Sequence, residues 1–195
     1  MSPAKHPLLQ AQTALTFSHM GFFVRDAERM ANYYQSVLGF TITDRGLLGT
    51  VPLVFLSRDP SEHHQIVLAG GKPEGLNFNA INQISFRVQG LAILRAVKAL
   101  AEQDPGTTEM LCVTHGNAIS IYFRDPEGNR IEAFVDTPWY CEQPLREVIN
   151  LEDDDAAIFA EAERIARQYP RFQLRATWQA DMARRMGYTL SLIHI

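Results

Sequence analysis

"THGNAISIYFRDPEGNRIEAF", residues 114–134, is the stretch that decides how this chain is read. Its centre, DPEGN, is a turn: Pro126 presets one φ and Gly128 can adopt a positive one. On the upstream side Ile119, Ile121 and Phe123 alternate with Ser120 and Tyr122. Downstream, Ile131, Ala133 and Val135 alternate with Arg130 and Glu132. A period of two belongs to strands that bury one face, so strands are expected over 118–124 and 129–135. Glu132 then stands among apolar neighbours, and the question is what its carboxylate faces.

The pattern extends upstream. "INQISFRV" (81–88) sets Ile84, Phe86 and Val88 against Gln83, Ser85 and Arg87, and the helical segment "LAILRAVKALAEQ" and a strand near 109–114 follow it. The same grammar occurs earlier in the chain. "FSHMGFFV" (17–24) reads as a strand, and "RDAERMANYYQSVLGF" as a helix. Asp26 is its N-cap, Met30, Tyr33, Tyr34 and Val37 recur at helical spacing, and Gly39 is its left-handed stop. Strands at 40–45, 51–57 and 63–69 complete this half, and "GGKPEGLNFN" is a linker. Each half is βαβββ, and superposing the two strand starts lays His19 over Gln83, 64 residues on.

A half-unit of this kind cannot bury its sheet alone. The expected fold class is therefore α+β, with paired βαβββ modules (about 15–72 and 79–136) forming one open cup-shaped barrel over 1–136. From 137 to 189 the chain reads as a helical C-terminal extension that covers the cup or forms an oligomer contact. The "EDDD" run at 152–155 is a solvated helix start, suited to the helix dipole. The last residues, "LSLIHI" (190–195), back-translate into a sequence resembling the end of a transposon-type sequencing adapter. An artefactual end and a genuine apolar tail are both open readings, and His194 is not counted as a functional histidine.

Composition narrows the function classes. A net charge of -4 gives no reason to expect nucleic acid or an anionic membrane as partner. Two cysteines, Cys112 and Cys141, are too few for a disulfide framework or a thiolate metal site. No apolar run approaches the roughly 20 residues of a membrane helix, and the N-terminus lacks the core and cleavage site of a signal peptide. A cytoplasmic protein is the expectation.

If each strand gives its apolar face to the helices, the polar faces look into the cup, and Glu132, Gln83, Tyr122 and His19 converge there. One or two histidines and a carboxylate on separate strands, with open coordination positions, suit a divalent metal that binds substrate directly.

These features resemble the vicinal oxygen chelate superfamily, and within it the extradiol dioxygenases that cleave catechols and biphenyl-2,3-diols. The resemblance covers about residues 15–140, and its hallmark is a pair of βαβββ modules enclosing one metal. It implies His19 as the metal ligand on the opening strand and Glu132 as the carboxylate ligand after the DPEGN turn. It implies His64, in "HHQIVLA", as an acid–base residue, and His115, in "THG", and Tyr122 as holders of substrate oxygens. His63, of opposite strand parity to His64, is expected outside.

One position departs from the pattern: the second metal ligand, histidine in the family's "HxxF" strand, is Gln83 in "NQISF". A carboxamide oxygen replaces an imidazole nitrogen, which leans the site from Fe(II) toward Mn(II), Mg(II) or Ca(II). Glyoxalases of the superfamily can use glutamine in this way. The resemblance thus implies an Fe(II)-dependent enzyme acting on a small aromatic substrate with O2. The alternatives are a glyoxalase-like isomerase, epimerase or lyase using another divalent ion such as Mn(II), and a metal-free protein that sequesters an aromatic ligand.

Overall fold

The computed structural model describes residues 16–76 and 78–186. The expectations for the N-terminal residues before 16, for 187–189 and for the 190–195 tail lie outside the described residues. The chain divides into two compact units: Ser18–Val113 with Ser120–Val135, and 114–119 with 136–186 among the described residues.

The first unit carries the duplication. Its opening module runs β1 (Met20–Val24), α1 (Ala27–Leu38), β2 (Thr41–Leu48), β3 (Val51–Ser57) and β4 (Ile66–Gly70). The second runs β5 (Ile84–Arg87), α2 (Leu91–Gln103), β6 (Thr108–Thr114), β7 (Ala118–Arg124) and β8 (Arg130–Asp136). One offset of 64 residues relates Met20 to Ile84 and Ala27 to Leu91. Sheet order repeats as well, β1-β4-β3-β2 in one module and β5-β8-β7-β6 in the other. In both, the first strand pairs in parallel with the last. The modules are two open sheets rather than one closed barrel.

Local chemistry accounts for the elements. Asp26 accepts the Arg29 backbone N–H at 2.9 Å and starts α1, while Gly39 at φ 69° ends it. The buried stripe of α1 is Met30, Tyr33, Tyr34 and Val37, the residues its spacing selects. In β7 and β8, Ile119, Ile121, Phe123 and Ile131 are fully buried, as the alternation requires. Several contacts join the modules within this unit. Tyr33 and Thr107 hydroxyls lie 2.7 Å apart, Phe40 meets Phe86 edge-on, and Glu127 accepts the backbone N–H groups of Arg25 and Asp26 at 2.7 and 2.9 Å.

Three strands start three residues later than the sequence pattern suggests. The opening strand begins at Met20 rather than 17, the fifth at Ile84 rather than 81, and the fourth at Ile66 rather than 63. His19, Gln83, His63 and His64 therefore lie just ahead of strands, not in them. Each strand takes its parallel or antiparallel partner only from those starts, so the residues before have no ladder to join. The second strand is longer than expected, 41–48 against 40–45, through a hairpin with β3.

The second unit contains the short strands β9 (Trp139–Tyr140), β10 (Glu147–Val148) and β11 (Gln173–Leu174), and the helices α3 (Asp155–Ala166) and α4 (Arg175–Met186). Asp154 caps α3 by accepting the Ala157 N–H at 2.9 Å, so the acidic run is a helix start. Trp139 packs edge-on against Phe159, Tyr140 stacks on Trp178 at 5.0 Å, and Arg175 pairs with Asp136 at 2.8 Å. No helix among the described residues is long and apolar enough to cross a membrane.

Candidate metal and substrate site

Glu132 sits in the middle of β8 and is only 7 % exposed. The parallel register sets Ser85 beside it, and the DPEGN turn, closed by Asp125 N–H to Asn129 C=O, sets Tyr122 opposite. Three side chains therefore reach its carboxylate. Ser85 Oγ donates to Oε2 at 2.5 Å, Gln83 Nε2 donates to Oε2 at 2.8 Å, and Tyr122 OH donates to Oε1 at 2.6 Å. Gln83 also donates to Ser85 Oγ at 3.0 Å. Three neutral donors hold the oxygens of this buried carboxylate in fixed directions. The opening question has its structural answer: Glu132 faces the polar side of the second sheet.

The histidines form a second group. His19 and His64 rings lie 4.3 Å apart, and both His63 and His64 pack on Phe55. His63 Nδ1 and His64 Nδ1 are 2.8 Å apart, so one ring donates to the other. His63 is exposed and lies 3.8 Å from Asp44. Burial lowers the His64 pKa, and the neighbouring His19 and His63 rings lower it further. His64 is therefore an unprotonated imidazole at neutral pH, able to take up a proton.

His115 belongs to the other unit. Its Nδ1 lies 2.6 Å from the Leu145 carbonyl, which can only accept, so Nδ1 carries a proton. Gln143 donates to the His115 carbonyl at 2.8 Å and holds the same loop.

Ser85 and Ser120 are members of this face that residue-type reasoning passes over, because serine is not a usual ligand. Ser85 was legible as a partner of Glu132 only through the β5–β8 register. Ser120 shares the face of Tyr122 by alternation and is fully buried, with its hydroxyl unpaired.

Among the described residues no group of three His, Cys, Asp or Glu side chains converges to hold a metal ion. Gln83 is a neighbour of Glu132 whose amide, turned by half a rotation, could present Oε1 as an oxygen donor. Gln83 meets Glu132 directly, whereas the contacts of His19 are with Ser18 and His64.

Comparison with known proteins agrees with the topology. A biphenyl-2,3-diol 1,2-dioxygenase from Rhodococcus globerulus is 32% identical over a segment that is 55% of this chain and 56% of that enzyme. The chain thus spans about half the length of that curated relative. The crystal structure of a glyoxylase/bleomycin resistance protein/dioxygenase domain from Frankia matches with a TM-score of 0.56 and 20% identity, covering 64% of this chain and all of the other. A fosfomycin resistance protein from Listeria monocytogenes, complexed with Mn(II) and sulfate, matches at TM-score 0.48 and 18% identity over 64% of this chain and 91% of its own. The family model of the Glyoxalase/Bleomycin resistance protein/Dioxygenase superfamily matches residues 16–133, through both βαβββ modules and up to the residue after Glu132, and the chain belongs to that superfamily.

Proposed function

We propose that this protein is a metal-dependent, extradiol-type dioxygenase that opens a catechol-like ring with O2. The observation that carries the reading is the buried Glu132 carboxylate, oriented by Gln83, Ser85 and Tyr122 on the strand that follows the DPEGN turn. His19, Gln83 and Glu132 would hold the ion, with Fe(II) the ion that ring cleavage calls for and Mn(II) the one the Gln83 oxygen favours. When bound, the ion would supply Lewis acidity and bring a catechol and O2 to one centre.

The chain's own residues supply the rest. His64, unprotonated at neutral pH, accepts the proton that a catechol hydroxyl loses on binding, and returns it later as a general acid. Tyr122, already a donor to Glu132, is a hydroxyl that can shift its hydrogen bond to a substrate oxygen. Ser85 stays on Glu132 Oε2 and keeps the carboxylate from turning. Phe55, against both His63 and His64, shields one side of the imidazole from water. The proposal draws on the first compact unit alone and does not require His115.

Gln83 also supports a second reading, a glyoxalase-like isomerase, epimerase or lyase on a redox-inactive ion, since an amide oxygen is a poorer ligand for Fe(II) than imidazole. Oxygen separates the two. The protein is loaded with Fe(II) anaerobically, 2,3-dihydroxybiphenyl is added, and oxygen is admitted while absorbance and bound iron are followed. Retained iron with a yellow ring-cleavage product supports the dioxygenase. Iron retained with the catechol intact, or no iron retained, refutes it and turns attention to other ions without oxygen.

A further inference from the structure

Next to Glu132 on the same strand face, the hairpin turn end carries an unusual density of positive charge. Alternation puts Arg130 on the side of Glu132, two residues away and so about 7 Å along the strand. The register that sets Tyr122 opposite Glu132 sets Arg124 opposite Arg130. Like charges directly across a strand pair are destabilising, and only one of these two is compensated. Arg124 Nε lies 2.5 Å from Glu109 and its Nη1 donates to the Gly128 carbonyl. The Arg130 guanidinium has no hydrogen-bond or ion-pair partner among the described residues.

Arg130, Arg124 and Arg25 line one cavity of about 500 Å³, together with the amide of Asn82. Glu127 is the one carboxylate in its wall. That charge is already offset, because Oε1 accepts two backbone N–H groups and Oε2 lies 3.8 Å from the Lys72 ammonium and 4.0 Å from Arg25. The wall therefore keeps an excess of positive charge. A second cavity of about 310 Å³ shares Leu76, Phe78, Asn79 and Ile81 with the first and continues along Phe22 and Phe23. Phe78 and Phe23 are 73 % and 63 % exposed, so they present aromatic surface to whatever enters.

A guanidinium with no partner among the described residues, in a cavity that shares its wall with an apolar slot, is the chemistry of a site for a small aromatic anion. We propose that these joined cavities bind an aromatic carboxylate, the carboxylate on Arg130 with Arg25 and Arg124 adding to the field, and the ring against Leu76, Phe78 and Ile81. The binding itself needs neither metal nor oxygen.

The test uses the full chain, treated with chelator, in calorimetric titration with 1-naphthoate and with its neutral amide. The expected result is saturable binding of the carboxylate, at least about tenfold weaker in Arg130→Gln, because a charge-assisted hydrogen bond is lost. Arg29→Gln, on the exposed side of α1, leaves binding unchanged, and Phe78→Ala weakens carboxylate and amide alike. Equal binding of the amide, equal binding by Arg130→Gln with its circular dichroism intact, or no binding at millimolar carboxylate overturns the proposal. None of these outcomes depends on ring cleavage. If naphthoate binds through Arg130 but catechols are never cleaved, the site stands and the dioxygenase falls.

Discussion

Replacing Asp125 with asparagine should make the protein more stable at neutral pH, although it removes the anchor charge of the DPEGN turn. Asp125 is 2 % exposed. Its Oδ1 accepts the Glu127 and Asn129 N–H groups at 3.0 and 2.9 Å, its Oδ2 accepts Asn129 Nδ2 at 2.8 Å, and the Tyr34 hydroxyl lies 3.5 Å away. Burial is the largest influence on the carboxyl and raises its pKa from 3.8 to about 6; the Asn129 and Glu127 donors pull the other way, and the Glu127 charge adds to the rise. A folded pKa above the unfolded one means the native state binds more protons between those values. Stability contributed by this group is therefore fully present below pH 4 and lost as pH rises through about 6. The gap amounts to about 3 kcal/mol at pH 7.5.

Asparagine keeps the two Oδ1 acceptances, and the Asn129 amide can turn to accept from the new Nδ2. Urea unfolding followed by circular dichroism at pH 4, 5.5 and 7.5 measures the difference between variant and wild type. That difference should climb by about 3 kcal/mol in favour of the variant from pH 4 to 7.5. A flat or falling difference would show that Asp125 is better solvated than its burial implies.

Other predictions concern the core, the loops and the site. Phe123→Ala removes a fully buried ring from β7 and should cost about 3–5 kcal/mol in the same urea assay. Gly116→Ala should cost about 2–4 kcal/mol, since Gly116 has φ 74° and an added Cβ would meet the Cys141 sulfur. Ser85→Ala should weaken Mn(II) affinity by about tenfold through loss of the donor on Glu132, and Glu132→Gln by more than the roughly 10–100-fold that an outer partner is worth; equilibrium dialysis reads both. His64→Ala should keep its metal and lose turnover, and loss of metal in that variant would move His64 into the ligand set.

Much of this was legible in the sequence because it rests on short-range rules. Asp26 and Gly39 punctuate α1, the apolar alternation of 118–124 and 130–136 names the buried face, and the 64-residue offset of the duplicated elements lays His19 over Gln83. Strand starts were less legible, because "FSHM" and "INQ" have strand composition but no ladder partner, and pairing is a long-range property. Ser85 became a partner of Glu132 only through the parallel register, which no local pattern encodes. The hairpin expected over 118–135 is present, with β7 and β8 joined by the DPEGN turn.

The most direct test of the account is where a metal goes. Crystals soaked with Mn(II) and measured at the manganese absorption edge should show one strong anomalous peak, ligated by His19, Gln83 and Glu132. A peak on His63 and Asp44 instead, or none at millimolar Mn(II) with all three side chains ordered, would contradict the metal-centred reading of Glu132.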